Sequence, residues 1–376
     1  MTKELIKGNI AFAEAALRAG LHAYFGYPIT PQTEALEWLS ARMPELGRAF
    51  VQAESELGAI NMVYGAACTG VRTMTSSSGP GISLMQEGIS YIAGSEIPVV
   101  IVNVMRGGPG LGNIAPAQGD YHQAVHGGGH GDYPRIVLAP ANIQELIDLT
   151  YEAFDIAEKY RCLVFILIDG SMGQMMEPAE LPPFREIKRE APAWATVGAK
   201  GRKPNLICSF NIDAEAHEVT NLRLISRWNR VRKNEVRYKE YYVEDADYLV
   251  VGFGTSGRIA LSAVREAREK GIKIGLLRPI SLAPFPEERL IALSEKVKGM
   301  LVVEMNAGQM LDDVISLTKG KCPIKFYGRP GGVVPMPEEI LAQIQDLTSQ
   351  PVPADIHPRD VWYDELVAEL GLVFEE

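Results

Sequence analysis

Over its first 180 residues the chain exchanges short apolar runs with longer amphipathic stretches, and few folds accommodate that pattern. Val99–Met105 is almost wholly apolar, as in a strand covered on both faces of a parallel sheet. Leu163–Asp169 repeats the pattern after a helix-like stretch that opens on Asn142 and Glu145, a capping box, and runs to Tyr160. His22–Tyr27, Ala49–Gln52 and Val71–Thr75 are shorter strand-like segments. Ile10–Ala19 has helical spacing and stops at Gly20, and Ser55–Cys68 stops near Gly70. Parallel strands need crossovers and helices supply them, so residues 1–180 are expected to form a doubly wound α/β domain.

A second, smaller α/β unit is expected over 245–345, with strands Tyr248–Gly252, Ile272–Leu277 and Leu301–Glu304 and helices Arg258–Lys270 and Glu287–Val297. Between the two, 181–244 turns proline-rich and then polar and helix-prone, with Arg223, Arg227, Arg230 and Arg232. It is expected to be a connector packed on the first domain, and 346–376 a surface extension. Lys and Arg number 37 against 47 Asp and Glu, a net charge of −10, which disfavours binding to phosphate backbones. Apolar runs fall far short of the ~20 residues of a membrane span, and Met1–Gly8 lacks a signal-peptide core, so a cytoplasmic location is expected. Cys68, Cys162, Cys208 and Cys322 are far apart, with no CxxC, and suggest neither a disulfide framework nor a metal ligand set.

Several motifs carry chemistry. Gly252-Phe253-Gly254-Thr255-Ser256-Gly257 is a GxGxxG between a strand and a helix, but the next strand ends in Arg278-Pro279 where a ribose-binding acid belongs. An arginine there suits a 2′-phosphate, so an NADP-binding oxidoreductase is an alternative, but a tight strand–helix turn is the favoured reading of the glycines. His122, His126 and His130 are spaced four apart, yet Gly127-Gly128-Gly129 interrupts any common helix, so a loop is favoured over a metal site. Ser76–Ser78 before Gly79-Pro80-Gly81 suits an anion or an ordinary turn. Tyr27-Pro28-Ile29-Thr30-Pro31 has Thr30 as a candidate N-cap with Pro31 at the first helical position, opening a helix through Arg42. Glu54 and Glu56 flank the strand-to-helix switch after Gln52, where an acid ordinarily compensates the helix dipole. Arg106 ends the buried run and enters Gly107-Gly108-Pro109-Gly110. All three features lie at C-terminal ends of expected strands, where open α/β sheets bind ligands.

With these motifs in order, the sequence resembles the α-type subunit of the 2-oxoacid:ferredoxin oxidoreductases, above all the branched-chain (2-oxoisovalerate) group. The resemblance is carried by Tyr27–Pro31, Glu54–Gly58, Met105–Gly110, Gly127–Tyr133, Arg278–Pro286 and Glu304–Gln309, and spans roughly residues 5–345. It implies that the first domain is the pyrimidine-binding half of a thiamine-diphosphate site and the second is like the C-terminal domain of transketolase. A β subunit would then carry the diphosphate and Mg2+, and γ and ferredoxin-like subunits the 4Fe–4S clusters that pass electrons to ferredoxin. The implied reaction is oxidative decarboxylation of a 2-oxoacid with coenzyme A to acyl-CoA, CO2 and reduced ferredoxin; 2-oxoglutarate- and pyruvate-specific members are alternatives. By the same resemblance Glu56 holds the N1′ proton of the aminopyrimidine, with Glu54 as the fallback. Tyr27, Pro28 and Ile29 line the cofactor, Thr30 and Arg106 anchor the substrate, and no metal ligand is expected on this chain.

Overall fold

The computed structural model describes residues 3–187, 190–350, 352 and 356–374; the extreme termini, two residues of the expected connector and four of the expected extension lie outside that description. Strand β1 (Glu4–Lys7) is followed by α1 (Gly8–Arg18), β2 (Ala23–Gly26), α2 (Thr33–Glu45), β3 (Ala49–Gln52), α3 (Glu56–Ala67), β4 (Thr73–Ser77), α4 (Gly79–Leu84) and α5 (Gln86–Gly94). Then come β5 (Val99–Met105), α6 (Tyr121–Val125), β6 (Ile136–Leu138), α7 (Ile143–Tyr160), β7 (Leu163–Asp169), α8 (Gly170–Gln174) and β8 (Met176–Ala179). Helix α9 (Ala214–Asn234) leads to β9 (Tyr238–Tyr241), β10 (Tyr248–Val251), α10 (Gly254–Glu269), β11 (Ile274–Pro279) and β12 (Ser281–Ala283). The chain continues through α11 (Glu287–Ser294), β13 (Gly299–Glu304), α12 (Gln309–Thr318), β14 (Ile324–Gly328), α13 (Pro337–Ser349) and α14 (Pro358–Glu369).

Seven strands form the first sheet in the order β12-β6-β7-β5-β4-β2-β3, parallel except for β12. All seven residues of β5 and of β7 are buried, as their apolar runs require, because helices cover both faces. One apolar layer joins α1, α2 and α7 to one face; the other joins α3 and α5 and continues into the second unit. The second sheet runs β14-β13-β10-β11-β9, parallel except for β9. The fold is α/β with parallel-dominated sheets.

The structure departs from expectation at three places. Thr30 is not an N-cap: the Thr30–Pro31 peptide is cis, Gln32 stands at the N-cap and α2 runs from Thr33 to Glu45. The Pro31 carbonyl instead accepts from Asn9 Nδ2 at 2.6 Å and Gln174 Nε2 at 3.1 Å, so neighbouring elements fix this loop. Strand β12, which follows β11 of the second unit in sequence, pairs antiparallel with β6 of the first sheet. The tail is not merely a surface extension. Its helix α14 buries Trp362, whose indole N–H donates to the Gly328 carbonyl at 2.9 Å, and so covers the edge strand β14.

Candidate active site

The strand order reverses between β2 and β4: from β2 the chain steps outward to β3, returns to β4 on the other side and continues to β5. Helix α2 lies on one face of the sheet and α3 and α5 on the other, so the C-terminal ends of these strands are a topological switch point, the place where the crevice of an open α/β sheet takes its ligand. The loops at those four strand ends hold Tyr27–Gln32, Glu54–Glu56, Ser78–Gly81 and Arg106.

Glu56 is the first residue of α3, and the Ser55 hydroxyl before it caps the helix by accepting from Gly58 N at 3.2 Å. It is only 8% exposed, yet its carboxylate has no hydrogen-bond or ion-pair partner among the described residues. Its Oε1 lies so close to Gly81 that a Cβ on that glycine would stand 2.5 Å away; only glycine leaves the space. Glu54 is exposed and leans over Gly58 at the outside of the helix start. The two acids therefore face different environments. A buried free carboxylate is costly without a ligand, which a dipole-compensating surface acid would not need.

Arg106 is also 8% exposed. Its Nη1 donates to the Thr30 carbonyl at 2.8 Å and Nη2 to the Leu111 carbonyl at 3.0 Å, while Nε is buried without an acceptor. It forms no ion pair with an acid of this chain among the described residues. Thr30 and Arg106 are brought together, but through the Thr30 main chain; the threonine itself is exposed. Arg106 lies against Gly79 and Glu56 against Gly81, so the acid and the cation flank one short helix start. Ser77 and Ser78 hydroxyls there are buried without partners.

Tyr27 is 37% exposed, and Pro28 and Ile29 are half-buried. What holds their loop was not evident from sequence: the fully buried Gln32 donates to the Tyr27 carbonyl and accepts from the Ser76 hydroxyl at 2.7 Å, which also meets the Tyr24 hydroxyl at 2.7 Å. Burial pushes the Tyr24 phenol up to about 12, so it stays protonated. Asn103 and Asp120 are a second missed pair, joined at 2.9 Å behind Arg106; burial raises the Asp120 carboxyl and the Arg106 charge opposes that rise.

The remaining motifs are structural. The glycine turn at 252–257 is buried beneath the first unit: Gln118 donates to the Phe253 carbonyl at 3.0 Å and stands against Gly254. Arg278 is 2% exposed and bound to Glu145 at 2.6 Å, so it has no room for a nucleotide phosphate. An NADP site is thereby excluded at this turn. His122 Nε2 meets the Gln309 carbonyl at 2.9 Å and His126 Nε2 meets Asp313 at 3.0 Å, so both imidazoles join α6 to α12. Among the described residues no cluster of three metal-ligating side chains occurs, and no helix is long and apolar enough to cross a membrane. Glu304, fully buried, accepts from Asn306 Nδ2, Met310 N and Leu311 N at 2.8–2.9 Å and fixes the start of α12 beside Gln118.

Fold and site together place one acid without a protein partner among the described residues, and one guanidinium with an unpaired Nε, at the strand ends of an α/β sheet. Residues 14–223 match the family described as pyruvate flavodoxin/ferredoxin oxidoreductase, thiamine diP-bdg, and 246–340 match pyruvate:ferredoxin oxidoreductase core domain II. The chain is 50% identical over 350 residues to ketoisovalerate oxidoreductase subunit VorB of Methanothermobacter marburgensis, covering 93% of this chain and 99% of that one. It is 38% identical over 352 residues to 2-oxoglutarate synthase subunit KorA of Archaeoglobus fulgidus, covering 92% and 99%. The 2-oxoglutarate:ferredoxin oxidoreductase from Magnetococcus marinus superposes with a TM-score of 0.83 at 28% identity, over 92% of this chain and 65% of that longer one. A split-gene transketolase shares the fold at a TM-score of 0.55 and 14% identity, covering 91% of this chain and 97% of that one. The chain belongs to the 2-oxoacid:ferredoxin oxidoreductase family, as an α-type enzyme subunit with a thiamine-diphosphate-binding domain. The family catalyses oxidative decarboxylation of 2-oxoacids with coenzyme A and ferredoxin.

Proposed function

We propose that this chain supplies the pyrimidine half of the thiamine-diphosphate site in a branched-chain 2-oxoacid:ferredoxin oxidoreductase acting on ketoisovalerate. Full-length 50% identity to a ketoisovalerate oxidoreductase subunit carries the substrate assignment, against 38% for the 2-oxoglutarate relative. The free, buried Glu56 carries the cofactor assignment: the cleft fits an aminopyrimidine because a proton-sharing acid there has no protein partner and Gly81 leaves it room. When bound, thiamine diphosphate supplies a carbon nucleophile and an electron sink for decarboxylation. Glu56 holds the proton at N1′, as an acid that no other side chain of this chain engages among the described residues. Tyr27, Pro28 and Ile29 line the ring, with Gln32 holding their loop in place.

Arg106 orients the substrate carboxylate, using N–H donors that its two carbonyl bonds leave free, and Thr30 stands beside it. The carboxylate departs as CO2, so this hold must orient without overstabilising the bound acid. A β subunit holds the diphosphate and Mg2+, while γ and ferredoxin-like subunits carry the clusters toward ferredoxin; coenzyme A accepts the acyl group. The pyrimidine-binding domain spans 1–180, the connector 181–244 and the transketolase-like domain 245–345, ahead of the extension 346–376. In the assembled complex Glu56→Gln should lower 2-oxoacid-dependent viologen reduction about 10²–10⁴-fold. A near-wild-type rate would reject the role of Glu56. A substrate panel on which 2-oxoglutarate or pyruvate outruns ketoisovalerate would reject the specificity alone.

A further inference from the structure

We propose that Ser77 is a positioning residue for Glu56: its hydroxyl donates to the Glu56 carboxylate when that group is ionised and turns to Asn103 when it is protonated. This rests on the reading of Glu56 as the acid that shares a proton with the cofactor. Ser77 ends β4 and is fully buried. Met74 belongs to the layer under α1 and α2, so Thr73, Thr75 and Ser77 face the other way, toward α3. Ser77 Oγ has no hydrogen-bond partner. Buried hydroxyls normally find one, so this uncommitted proton calls for an explanation.

Two acceptors flank it. On one side is Glu56: Ser77 Oγ and Glu56 Oε1 converge on the same side of Gly81, 2.2 and 2.5 Å from where a Cβ would stand there. On the other side is Asn103, the register partner of Ser77 on the parallel strand β5. Side chains so paired stand about 5 Å apart on one face. Asn103 is 1% exposed, and its Oδ1 is also buried without a partner. Its Nδ2 donates to Asp120 Oδ2 at 2.9 Å, and a carboxylate only accepts, so the amide cannot flip without losing that bond. The Arg106 charge favours the ionised Asp120 that this requires. The Glu56 carboxyl, Ser77 Oγ and Asn103 Oδ1 thus form a row of unpartnered polar groups that ends at Asp120.

A hydroxyl has one proton and two lone pairs, and this decides what the row can do. With Glu56 ionised, Ser77 donates to it in a charge-assisted bond. With Glu56 protonated, the acid donates to Ser77 Oγ, and Ser77 donates to Asn103 Oδ1. The buried carboxyl is satisfied in both states, and passing between them needs only a turn about the Ser77 Cα–Cβ bond. A hydroxyl with no second acceptor would favour the ionised state alone. The other charged groups on these elements are Arg106 across the start of α4, Asp120 behind it and Glu54 outside the start of α3.

Urea unfolding of the full chain without cofactor, from pH ~4 to pH ~8, tests this beside the activity of the assembled complex. Ser77→Ala removes the donor to the carboxylate, so its loss of stability should grow as pH rises, to about tenfold in the unfolding equilibrium at pH ~8. Asn103→Leu removes the alternative acceptor, so the part of its loss that depends on Glu56 should grow as pH falls. Both trends should vanish in the Glu56→Gln background, a comparison that also subtracts any titration of Asp120. In the complex, Ser77→Ala should lower kcat about 10-fold and leave the KM for the 2-oxoacid within about twofold, because Arg106 keeps both carbonyl bonds. A pH-independent loss in Ser77→Ala, the same trend in both variants, a trend that survives Glu56→Gln, or a kcat within about twofold of wild type would overturn the proposal. Ser77→Ala deletes a hydroxyl that has no partner to lose, so it decides the case even where Asn103→Leu does not fold. Failure of the Glu56 reading itself shows separately, as a Glu56→Gln complex of near-wild-type rate.

Discussion

Gly81→Ala separates folding from chemistry at the crevice. Gly81 has ordinary helical backbone angles, so alanine is tolerated there and improves helix propensity by about 1 kcal/mol. The added Cβ would lie 2.2 Å from Ser77 Oγ and 2.5 Å from Glu56 Oε1. Both are free ends of side chains, and moving each off its rotamer costs about 0.5–1.5 kcal/mol. The two displacements together cost about 1–3 kcal/mol against that gain of about 1, a net loss of at most about 2 kcal/mol, so the melting temperature should stay within about 4 °C of wild type. Ordinary contact needs ~3.5 Å, so the Glu56 carboxylate must retreat by about 1 Å. A displacement of that size at a reacting group costs about 10²-fold in rate. The assay is 2-oxoacid-dependent viologen reduction by the assembled complex, beside a thermal scan of the same preparation. A rate within twofold of wild type at unchanged stability would refute the placement of the chemistry on Glu56. A fall of ~10 °C or more would show that the two side chains cannot yield and would refute the packing argument.

Arg106→Lys removes the planar fork that reaches the Thr30 and Leu111 carbonyls together, and should raise the KM for the 2-oxoacid at least ~10-fold with a smaller change in kcat, measured by initial rates. Gly88→Ala meets a different neighbour: its Cβ would lie 2.6 Å from Cγ2 of the β-branched, fully buried Ile60, which has no free end to move. A loss of about 1–3 kcal/mol is expected, read from the denaturant midpoint. Burial pushes Glu304 up to about 7 from 4.5, against the pull of its three N–H donors. A folded value above the unfolded one stabilises the fold fully below ~4.5, and this contribution is lost as pH rises through about 7. Thermal scans should therefore show lower stability at pH ~8 than at pH ~5, by a few kcal/mol, and Glu304→Gln should flatten that dependence even if it lowers stability overall.

What the sequence revealed and what it concealed divide by the range of the interaction responsible. Val99–Met105 and Leu163–Asp169 coincide with β5 and β7 because burial on both faces writes an uninterrupted apolar run into the chain. Asn142 marks the start of α7 because its cap is made within three residues, to Glu145 N. Glu56, Thr30 and Arg106 drew notice for a related reason: each follows a strand, and a parallel sheet collects such positions at one edge. The failures are all long-range. The Thr30-Pro31 pair has the composition of a helix start, but Asn9 and Gln174, distant in sequence, claim the Pro31 carbonyl. The glycine turn at 252–257 has the spacing of a nucleotide site, yet Gln118 from the other unit occupies the approach. Ser281–Ala283 follows a strand of its own unit but completes the sheet of the other, and no local pattern distinguishes those choices. Gln32, Asn103 and Asp120 escaped notice because a buried polar residue looks like a surface one until its partner is known; here the partners are Ser76 for Gln32 and each other for Asn103 and Asp120. That Glu56, Thr30 and Arg106 lie at one edge of the sheet can thus be read from strand ends alone, whereas the hydrogen bonds around them appear only once the chain has folded.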